Sequence, residues 1–223
     1  MSRLNRPILF VLLMATVASP CQTRRAVEPL CEDTTAKKVQ LSDADATILG
    51  LAIGRASLKD VHAKLGSAKV TRVSRDEESD VSICYVSPSD GTVLVFYSGA
   101  MGGWKDITWF ALWSRKAAFP SASRCTMSAE VSQNLSTQSG LRLGLTKAQF
   151  EGIAGTPTSV ATFSAKYDYI CRQKMTDEQI RGFKTRNNWD VTNDPYFDRM
   201  SGIEVHFTDT MASRVEVAKI ESY

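Results

Sequence analysis

Two short stretches of the sequence share one pattern of glycines and hydroxyls. The stronger covers residues 140–157 and reads Gly-Leu-Arg-Leu-Gly-Leu-Thr-Lys-Ala-Gln-Phe-Glu-Gly-Ile-Ala-Gly-Thr-Pro; the fainter covers residues 50–66. Each begins Gly-Leu-x-Ile/Leu-Gly, continues with a hydroxyl residue and a short amphipathic segment, and closes on a glycine. The pattern predicts two short helices, and it constrains the fold more than any other feature of the chain.

The start of each helix is marked by hydroxyl-x-x-polar spacing, found in Thr146 with Gln149 and in Ser57 with Asp60. The hydroxyl accepts a hydrogen bond from a backbone N–H that is otherwise unpaired, and the Thr–Gln pair fits the capping box. Gly66 and Gly155 stand where a left-handed residue would end each helix. Helices of about nine residues are unstable alone in water, so each must pack on other structure.

Strand-like segments follow each helix. Those of the first copy cover residues 68–74, 80–86, 92–98 and 106–113; those of the second cover 159–163, 166–172, 202–208 and 212–220. Gly54 and Gly144 are 90 positions apart, and Cys31 with Cys125 and Cys84 with Cys171 recur at similar offsets, which indicates tandem duplication. We predict an α+β fold of two tandem helix-on-antiparallel-sheet repeats, residues 42–118 and 119–223, with an insertion at 173–200 in the second.

The N-terminus predicts an exported protein. Arg3 and Arg6 precede an apolar run at residues 8–15 and then small residues, which is the plan of a secretory signal over residues 1–19. The run is too short to span a bilayer, and residues 20–41 read as a linker. Removal of two arginines lowers the net charge from +3 to +1 (3 − 2), a balance that does not favour nucleic-acid binding. We expect a protein of the periplasm or cell envelope.

Five cysteines in an exported chain indicate disulfides with one cysteine left over. The duplication favours the symmetric pairs Cys31–Cys84 and Cys125–Cys171, with Cys84–Cys125 as the chief competing pair. Cys21 is the leftover, at the position where bacterial lipoproteins are acylated, although Pro20 departs from the small residue usual before that cysteine. Plain cleavage near Ala18 or Ser19 is the alternative to lipidation of Cys21.

The second stretch resembles the Gly-Met-Thr-x-x-x-Val…Gly-x-Pro signature of a known family. It carries Gly144-Leu-Thr-Lys-Ala-Gln-Phe and Gly155-Thr-Pro157, and then Cys171, a Phe207-Thr-Asp209 turn and a closing strand in the family's order. The family comprises the small outer-membrane lipoprotein A (outer-membrane assembly lipoprotein) group and the β-lactamase inhibitor proteins, which carry the signature twice. The resemblance covers residues 45–115 and 139–220. It implies helices on one face of a curved antiparallel sheet, with the other face free to bind protein.

Signals for catalysis are sparse. The chain has two histidines, His62 in the first predicted helix and His206 in a strand, and no Gly-x-Ser-x-Gly elbow accompanies them. No metal-ligand spacing or cofactor motif is present, so we expect neither metal nor cofactor. An envelope hydrolase or cell-wall ligand-binding protein that uses His206 with Asp209 or Glu204 stays open as the alternative function.

Aromatic residues supply the candidates for binding a protein partner. Alternation over residues 106–113 places Ile107, Trp109, Ala111 and Trp113 on one strand face, and the predicted insertion adds Trp189, Tyr196 and Phe197. The alternatives are a strand buried between the repeats and an insertion that packs its aromatics on its own sheet. We predict a non-catalytic exported protein-binding module, adaptor or inhibitor, that binds through Trp109, Trp113, Trp189, Tyr196 and Phe197. A third possibility is an outer-membrane lipoprotein with an assembly role.

Overall fold

The computed structural model describes residues 30–31, 41–75, 78–99, 102–187 and 191–222. The predicted signal segment, Cys21 and Trp189 lie outside the described residues. The helices are α1 Leu58–Leu65, α2 Lys147–Ala154 and α3 Asp177–Asn187. The strands are β1 Thr47–Ile48, β2 Leu51–Ala52, β3 Thr71–Arg75, β4 Glu78–Val86, β5 Val93–Ser98, β6 Trp109–Trp113, β7 Thr126–Met127, β8 Ser159–Ala161, β9 Ser164–Lys174, β10 Tyr196–Thr208 and β11 Met211–Ser222.

The predicted helix starts are confirmed. Ser57 and Thr146 each close a capping box, in which the hydroxyl accepts from the backbone N–H three residues later and that residue's side chain accepts from the cap backbone. Helix α3 begins in the same way, because the Thr176 hydroxyl accepts from Gln179 N at 3.2 Å and Gln179 Oε1 accepts from Thr176 N at 2.8 Å. It extends to Asn187.

Both helices end on the predicted glycines, but in a different conformation from the one expected. Gly66 has φ 92° and ψ 165°, and Gly155 has φ 91° and ψ −159°. These ψ values are extended and not left-handed helical. Positive φ with extended ψ is accessible to little except glycine, so the two positions require glycine more strictly than a left-handed cap would.

The predicted strands join in one sheet. Its order is β3-β4-β5-β6-β11-β10-β9-β8, with all these neighbours antiparallel, and β7 pairs in parallel with β4. The expectation of a separate sheet beneath each helix is therefore corrected. Strands β6 and β11 pair from Trp109 with Ala218 to Trp113 with Arg214, and this pairing satisfies two strand edges that would otherwise be left open.

One hydrophobic core lies between the sheet and the two short helices. Two cross-strand rows of buried residues face it: Tyr85, Leu94, Leu112, Val215, Val205 and Ala165, and Ile83, Phe96, Phe110, Val217, Ile203 and Tyr167. Helix α1 contributes Leu58, Val61 and Leu65, and α2 contributes Phe150 and Ala154. Because both helices pack on the same sheet face, the opposite face is left for other contacts.

Two segments differ from their predicted roles. Strands β9 and β10 run to Lys174 and from Tyr196, so the two ends of the predicted insertion at 173–200 belong to the sheet. The predicted linker at 20–41 also contributes structure, because Cys31 N donates to Arg172 O at 3.0 Å and Leu41 is a core residue that is 3% exposed.

The disulfides are Cys31–Cys171 and Cys84–Cys125, so the symmetric pairing is wrong and the competing pair Cys84–Cys125 is correct. The reason is strand parity. Cys84 is one position from the core residue Tyr85, whereas Cys171 is two positions from the core residue Tyr169. Cys84 therefore lies on the sheet face opposite the helices and Cys171 on the helix side, so the two cysteines do not occupy equivalent places.

Among the described residues, no helix has both the length and the apolar character needed to cross a bilayer.

Candidate functional site

The sheet face opposite α1 and α2, which we call the open face, carries two chemically different halves. Three cross-strand rows form it: Val86, Val93, Trp113, Arg214, His206 and Ser164; Cys84, Val95, Ala111, Glu216, Glu204 and Lys166; and Ser82, Tyr97, Trp109, Ala218, Gly202 and Asp168. The first half, on β4 to β6, is mainly apolar. The second half, on β11 to β9, is mainly charged.

Residues 114–125, which we call the crossing segment, cover part of the apolar half. The segment leaves β6 at Ser114, and its Phe119 ring meets the Trp113 ring edge-on at 5.3 Å between centroids. The Cys84–Cys125 disulfide then fastens its far end to β4. Val93 and Val95 beneath this region are buried. The charged half remains accessible, since Lys166, Ile170 and Met200 are all exposed there.

Trp109 and Trp113 both lie on the open face, as the alternation predicts. The Trp109 ring meets Tyr97 edge-on at 4.4 Å, and the Arg214 guanidinium carbon lies 4.1 Å from the centroid of the Trp113 ring. Ile107 was expected on the same face, but it lies outside β6 and is fully buried in the core. Alternation fails there because Ile107 bonds to the loop before α1, with Ile107 N donating to Ala56 O at 2.8 Å.

The charged half holds two groups of paired side chains, one at Glu216 and one at Glu204. Arg214 Nε donates to Glu216 Oε1 at 2.9 Å, His206 Nε2 lies 2.8 Å from Glu204 Oε1, and Lys166 Nζ lies 3.2 Å from Glu204 Oε2. Burial acts to raise the pKa of Glu204, but hydrogen bonds and positive charge from Lys166 and His206 outweigh it and lower that pKa. Glu204 on β10 is therefore held as an anion by Lys166 on β9 and His206 on its own strand.

The predicted insertion residues separate in the structure. Tyr196 lies on the open face beneath Arg172, whose guanidinium carbon is 4.8 Å from the ring centroid. Arg172 also pairs with Asp194 at 2.7 Å and Asp198 at 3.5 Å. Phe197 is only 2% exposed, and its strand position places it on the face opposite Tyr196. Neighbouring strand positions face opposite ways, and Tyr196 and Phe197 cannot both line one face.

The charged side chains of the open face do not follow from the aromatic pattern. Arg172, Arg214, Glu216 and Lys166 alternate along their strands with buried neighbours such as Tyr167, Val215 and Val217. Alternation alone could have placed them on one face. The contact of Arg214 with Trp113 depends on the β6–β11 pairing, which sequence spacing does not show.

Comparisons with known proteins add little to this geometry. No protein-family model matches the chain, and no curated protein matches it. One solved structure with some likeness is a candidate β-lactamase inhibitor protein from Streptococcus mutans, which is 12% identical and matches over 75% of this chain and 82% of its own, with a TM-score of 0.25. A likeness this weak assigns neither family nor function.

The alternative catalytic residues are only partly brought together. His206 bonds to Glu204, whereas the Asp209 carboxylate pairs with Lys116 Nζ at 3.1 Å. His206 and Asp209 line a groove of about 550 Å³ that also contains Ser213. The Ser213 hydroxyl, however, donates to the main-chain oxygen of His206 at 3.2 Å and not to the imidazole. Ser213 is therefore not activated as a nucleophile by that ring.

Within the described part of the chain, no three His, Cys, Asp or Glu side chains are grouped closely enough to hold a metal ion.

Proposed function

We propose that this chain is an exported, non-catalytic protein-binding module of the periplasm or cell envelope. It binds a protein partner through the open face, with Trp109, Trp113 and Tyr196 as anchoring residues. The observation that carries the proposal is the stacking of Arg214 on Trp113, at the boundary between the covered apolar half and the accessible charged half. Tryptophan, tyrosine and arginine are the residues most enriched at interface hot spots.

The chemistry around the stacked pair also suits a protein partner. The Trp109 and Trp113 rings lie on β6, near the middle of the face, and charged side chains lie beside them on β11 to β9. Stable interfaces have this arrangement, with a desolvated centre and a polar rim. The rim charges already pair with each other, so they contribute more to selecting a complementary partner than to affinity.

Tandem duplication, with repeats at 42–118 and 119–223, is part of the proposal. Gly54 and Gly144 both have φ 75° and lie in like surroundings. Gly54 N donates to Ile107 O and Gly144 N donates to Ala212 O, each at 2.8 Å. Each of these acceptors lies at or just before the strand that pairs across the centre of the sheet, β6 or β11. Such matched contacts are what two copies of one unit would retain.

The test is affinity capture from an envelope extract with two matched charge reversals. Lys166 on the open face and Lys147 on α2 both have side chains that are 50% exposed. We expect the wild-type protein and Lys147→Glu to capture the same protein partner, and Lys166→Glu and Trp109→Ala to lose it. A partner retained by both of the latter variants would contradict the proposed surface.

The hydrolase alternative predicts a different result. If His206 and Glu204 performed catalysis, His206→Ala would abolish turnover of a cell-wall substrate and leave partner capture unchanged. For a binding module we expect no turnover by the wild-type protein. Turnover that disappears in His206→Ala would instead support the enzyme.

An outer-membrane lipoprotein is a second candidate, favoured by cysteine count. Four of the five cysteines are consumed by the two disulfides, which leaves Cys21 without a disulfide partner in its own chain. Intact-mass analysis of the mature protein separates the possibilities. A diacylglyceryl and acyl addition on Cys21 would identify the anchored form, and an unmodified chain starting near residue 20 would identify the free form.

A further inference from the structure

A second, polar cleft of about 340 Å³ lies at the end of the sheet near the crossing segment. The β4–β5 turn, the start of the crossing segment, residues 133–144 and the β10–β11 turn enclose it. The charged lining residues are Arg115, Lys116, Arg142 and Asp90, and the uncharged polar ones include Ser114, Gln133, Asn134 and Ser213. Its volume is in the lower part of the range for small-molecule sites, about 300 to 1,000 Å³.

The one acidic residue of this lining is already fully engaged. Asp90 Oδ1 accepts from Thr92 N and Oδ2 accepts from Gln133 N, both at 2.9 Å. Burial acts to raise the pKa of Asp90, but hydrogen bonds from Gln133, Thr92 and Ser87 outweigh it and lower that pKa. The Asp90 carboxylate is therefore ionised, and its hydrogen bonds hold the backbone at Thr92 and Gln133 in place. It has no ion pair with either arginine within the described residues.

Within the part of the chain that the structure describes, no carboxylate pairs with the guanidinium of Arg115 or of Arg142. Arg142 has one long contact, from Nη1 to Leu143 O at 3.4 Å. The stem of Arg115 lies over Gly91, where an added Cβ would be 3.3 Å from Arg115 Cδ, so the glycine leaves room for this stem. Among the described residues, neither arginine forms an ion pair. Two unpaired guanidiniums that share one cleft repel each other unless an anion lies between them.

Lys116 adds a third cation, and its present ion pair is weak enough to exchange for another anion. Its ammonium pairs with Asp209 at 3.1 Å, and both side chains are more than 70% exposed. Such exposed pairs contribute little to stability, so an anion in the cleft can compete for the lysine. The charged lining residues sum to +2, from three cations and one anion.

We propose that this cleft binds an oxyanion, carboxylate or phosphate, carried on a small hydroxylated molecule such as a sugar derivative. Guanidinium groups form paired hydrogen bonds with two oxygens of a carboxylate or a phosphate. The hydroxyl of Ser114 and the amides of Gln133 and Asn134 supply donors and acceptors for ligand hydroxyls. The site is separate from the protein-binding residues of the open face and does not depend on the proposed function.

The test is calorimetric titration of the full-length mature protein with four probes. These are inorganic phosphate, glucose 6-phosphate, glucuronate and glucose. We expect glucose 6-phosphate or glucuronate to bind and glucose not to, and the stronger of the two identifies phosphate or carboxylate as the preferred group. Weaker binding of inorganic phosphate would show that the hydroxyls contribute. Failure of all three anions to bind, or equal binding of glucose, would overturn the proposal.

Matched variants locate the site. Arg142→Gln and Arg115→Gln should each weaken anion binding by about 10-fold or more, because each removes a charge-assisted hydrogen bond. Arg124→Gln removes an exposed cation of the crossing segment that is not in the cleft, and it should leave binding unchanged. Equal losses in all three variants would reduce the effect to general surface charge and overturn the proposal. Unchanged thermal unfolding of the variants confirms that they fold.

Discussion

The Tyr85 hydroxyl donates a 2.6 Å hydrogen bond to the carbonyl oxygen of Gly66, the residue at which α1 ends. Tyr169 makes the corresponding bond to α2, with its hydroxyl 3.1 Å from Ala154 O. The last carbonyl oxygens of a helix accept no hydrogen bond from within that helix. Each tyrosine therefore fastens the C-terminal end of one short helix to the sheet.

Removal of either hydroxyl should destabilise the protein. We expect Tyr85→Phe and Tyr169→Phe each to lower the free energy of unfolding by about 1 kcal/mol, because each removes a hydrogen bond from a buried tyrosine to the end of a helix. Urea unfolding followed by circular dichroism measures the change.

Tyr167→Phe is the matched control. Tyr167 is fully buried on the same strand as Tyr169, but its hydroxyl has no hydrogen-bond partner in the described part of the chain. Loss of this hydroxyl should be neutral or stabilising. A loss in Tyr167→Phe as large as that in Tyr85→Phe would show that packing, and not the helix contact, explains the effect.

The same three tyrosines predict unfolding at alkaline pH. Burial raises the pKa of Tyr85, Tyr167 and Tyr169 to about 12 in each case, from 10.0. Above pH 10 the unfolded chain ionises first, so the folded state loses stability as pH rises toward 12. The slope is at most about 1.4 kcal/mol per pH unit for each tyrosine.

Unfolding free energies measured from pH 9 to pH 12 should show this decline, and tyrosinate absorbance should appear together with unfolding. In Tyr85→Phe the decline should be shallower. Early ionisation of all six tyrosines of the chain, with the fold intact, would contradict the prediction.

The disulfides give a third prediction. Peptide mapping without reduction should recover Cys31 linked to Cys171 and Cys84 linked to Cys125. Replacement of both Cys84 and Cys125 by serine should lower the free energy of unfolding by about 4 kcal/mol, because the bond joins residues 41 positions apart.

Cys21→Ser is the control for this pair of substitutions, since Cys21 belongs to neither bond. It should leave the free energy of unfolding unchanged. Recovery of Cys31 linked to Cys84 in the peptide map would contradict the assignment of strand faces given above.

Local sequence signals predicted the helices well. Ser57 and Thr146 mark helix starts because a cap hydroxyl acts on a backbone N–H only three residues away. Gly66 and Gly155 mark helix ends because few other residues tolerate their backbone angles. The predicted strands are all present, although β9, β10 and β11 are longer than expected.

Long-range contacts were the source of each miss. Cys84 seemed equivalent to Cys171 by spacing along the chain, but a difference of one strand position places them on opposite faces. Phe197 was grouped with Tyr196 because residues 173–200 were expected to form an insertion, whereas pairing with β9 makes both part of β10, where they face opposite ways. The polar cleft was not foreseen, because Asp90, Arg115 and Arg142 are far apart in sequence and meet only when four chain segments converge.

The sequence by itself thus determined where α1 and α2 begin and that each predicted strand exists, since those features depend on hydrogen bonds and side-chain alternation within a few residues. Only the tertiary structure decided that β6 pairs with β11, which cysteines meet, and which side chains surround Trp113. These outcomes depend on strand register. A shift of one residue reverses the face of every side chain on a strand, and no local pattern records which register is adopted.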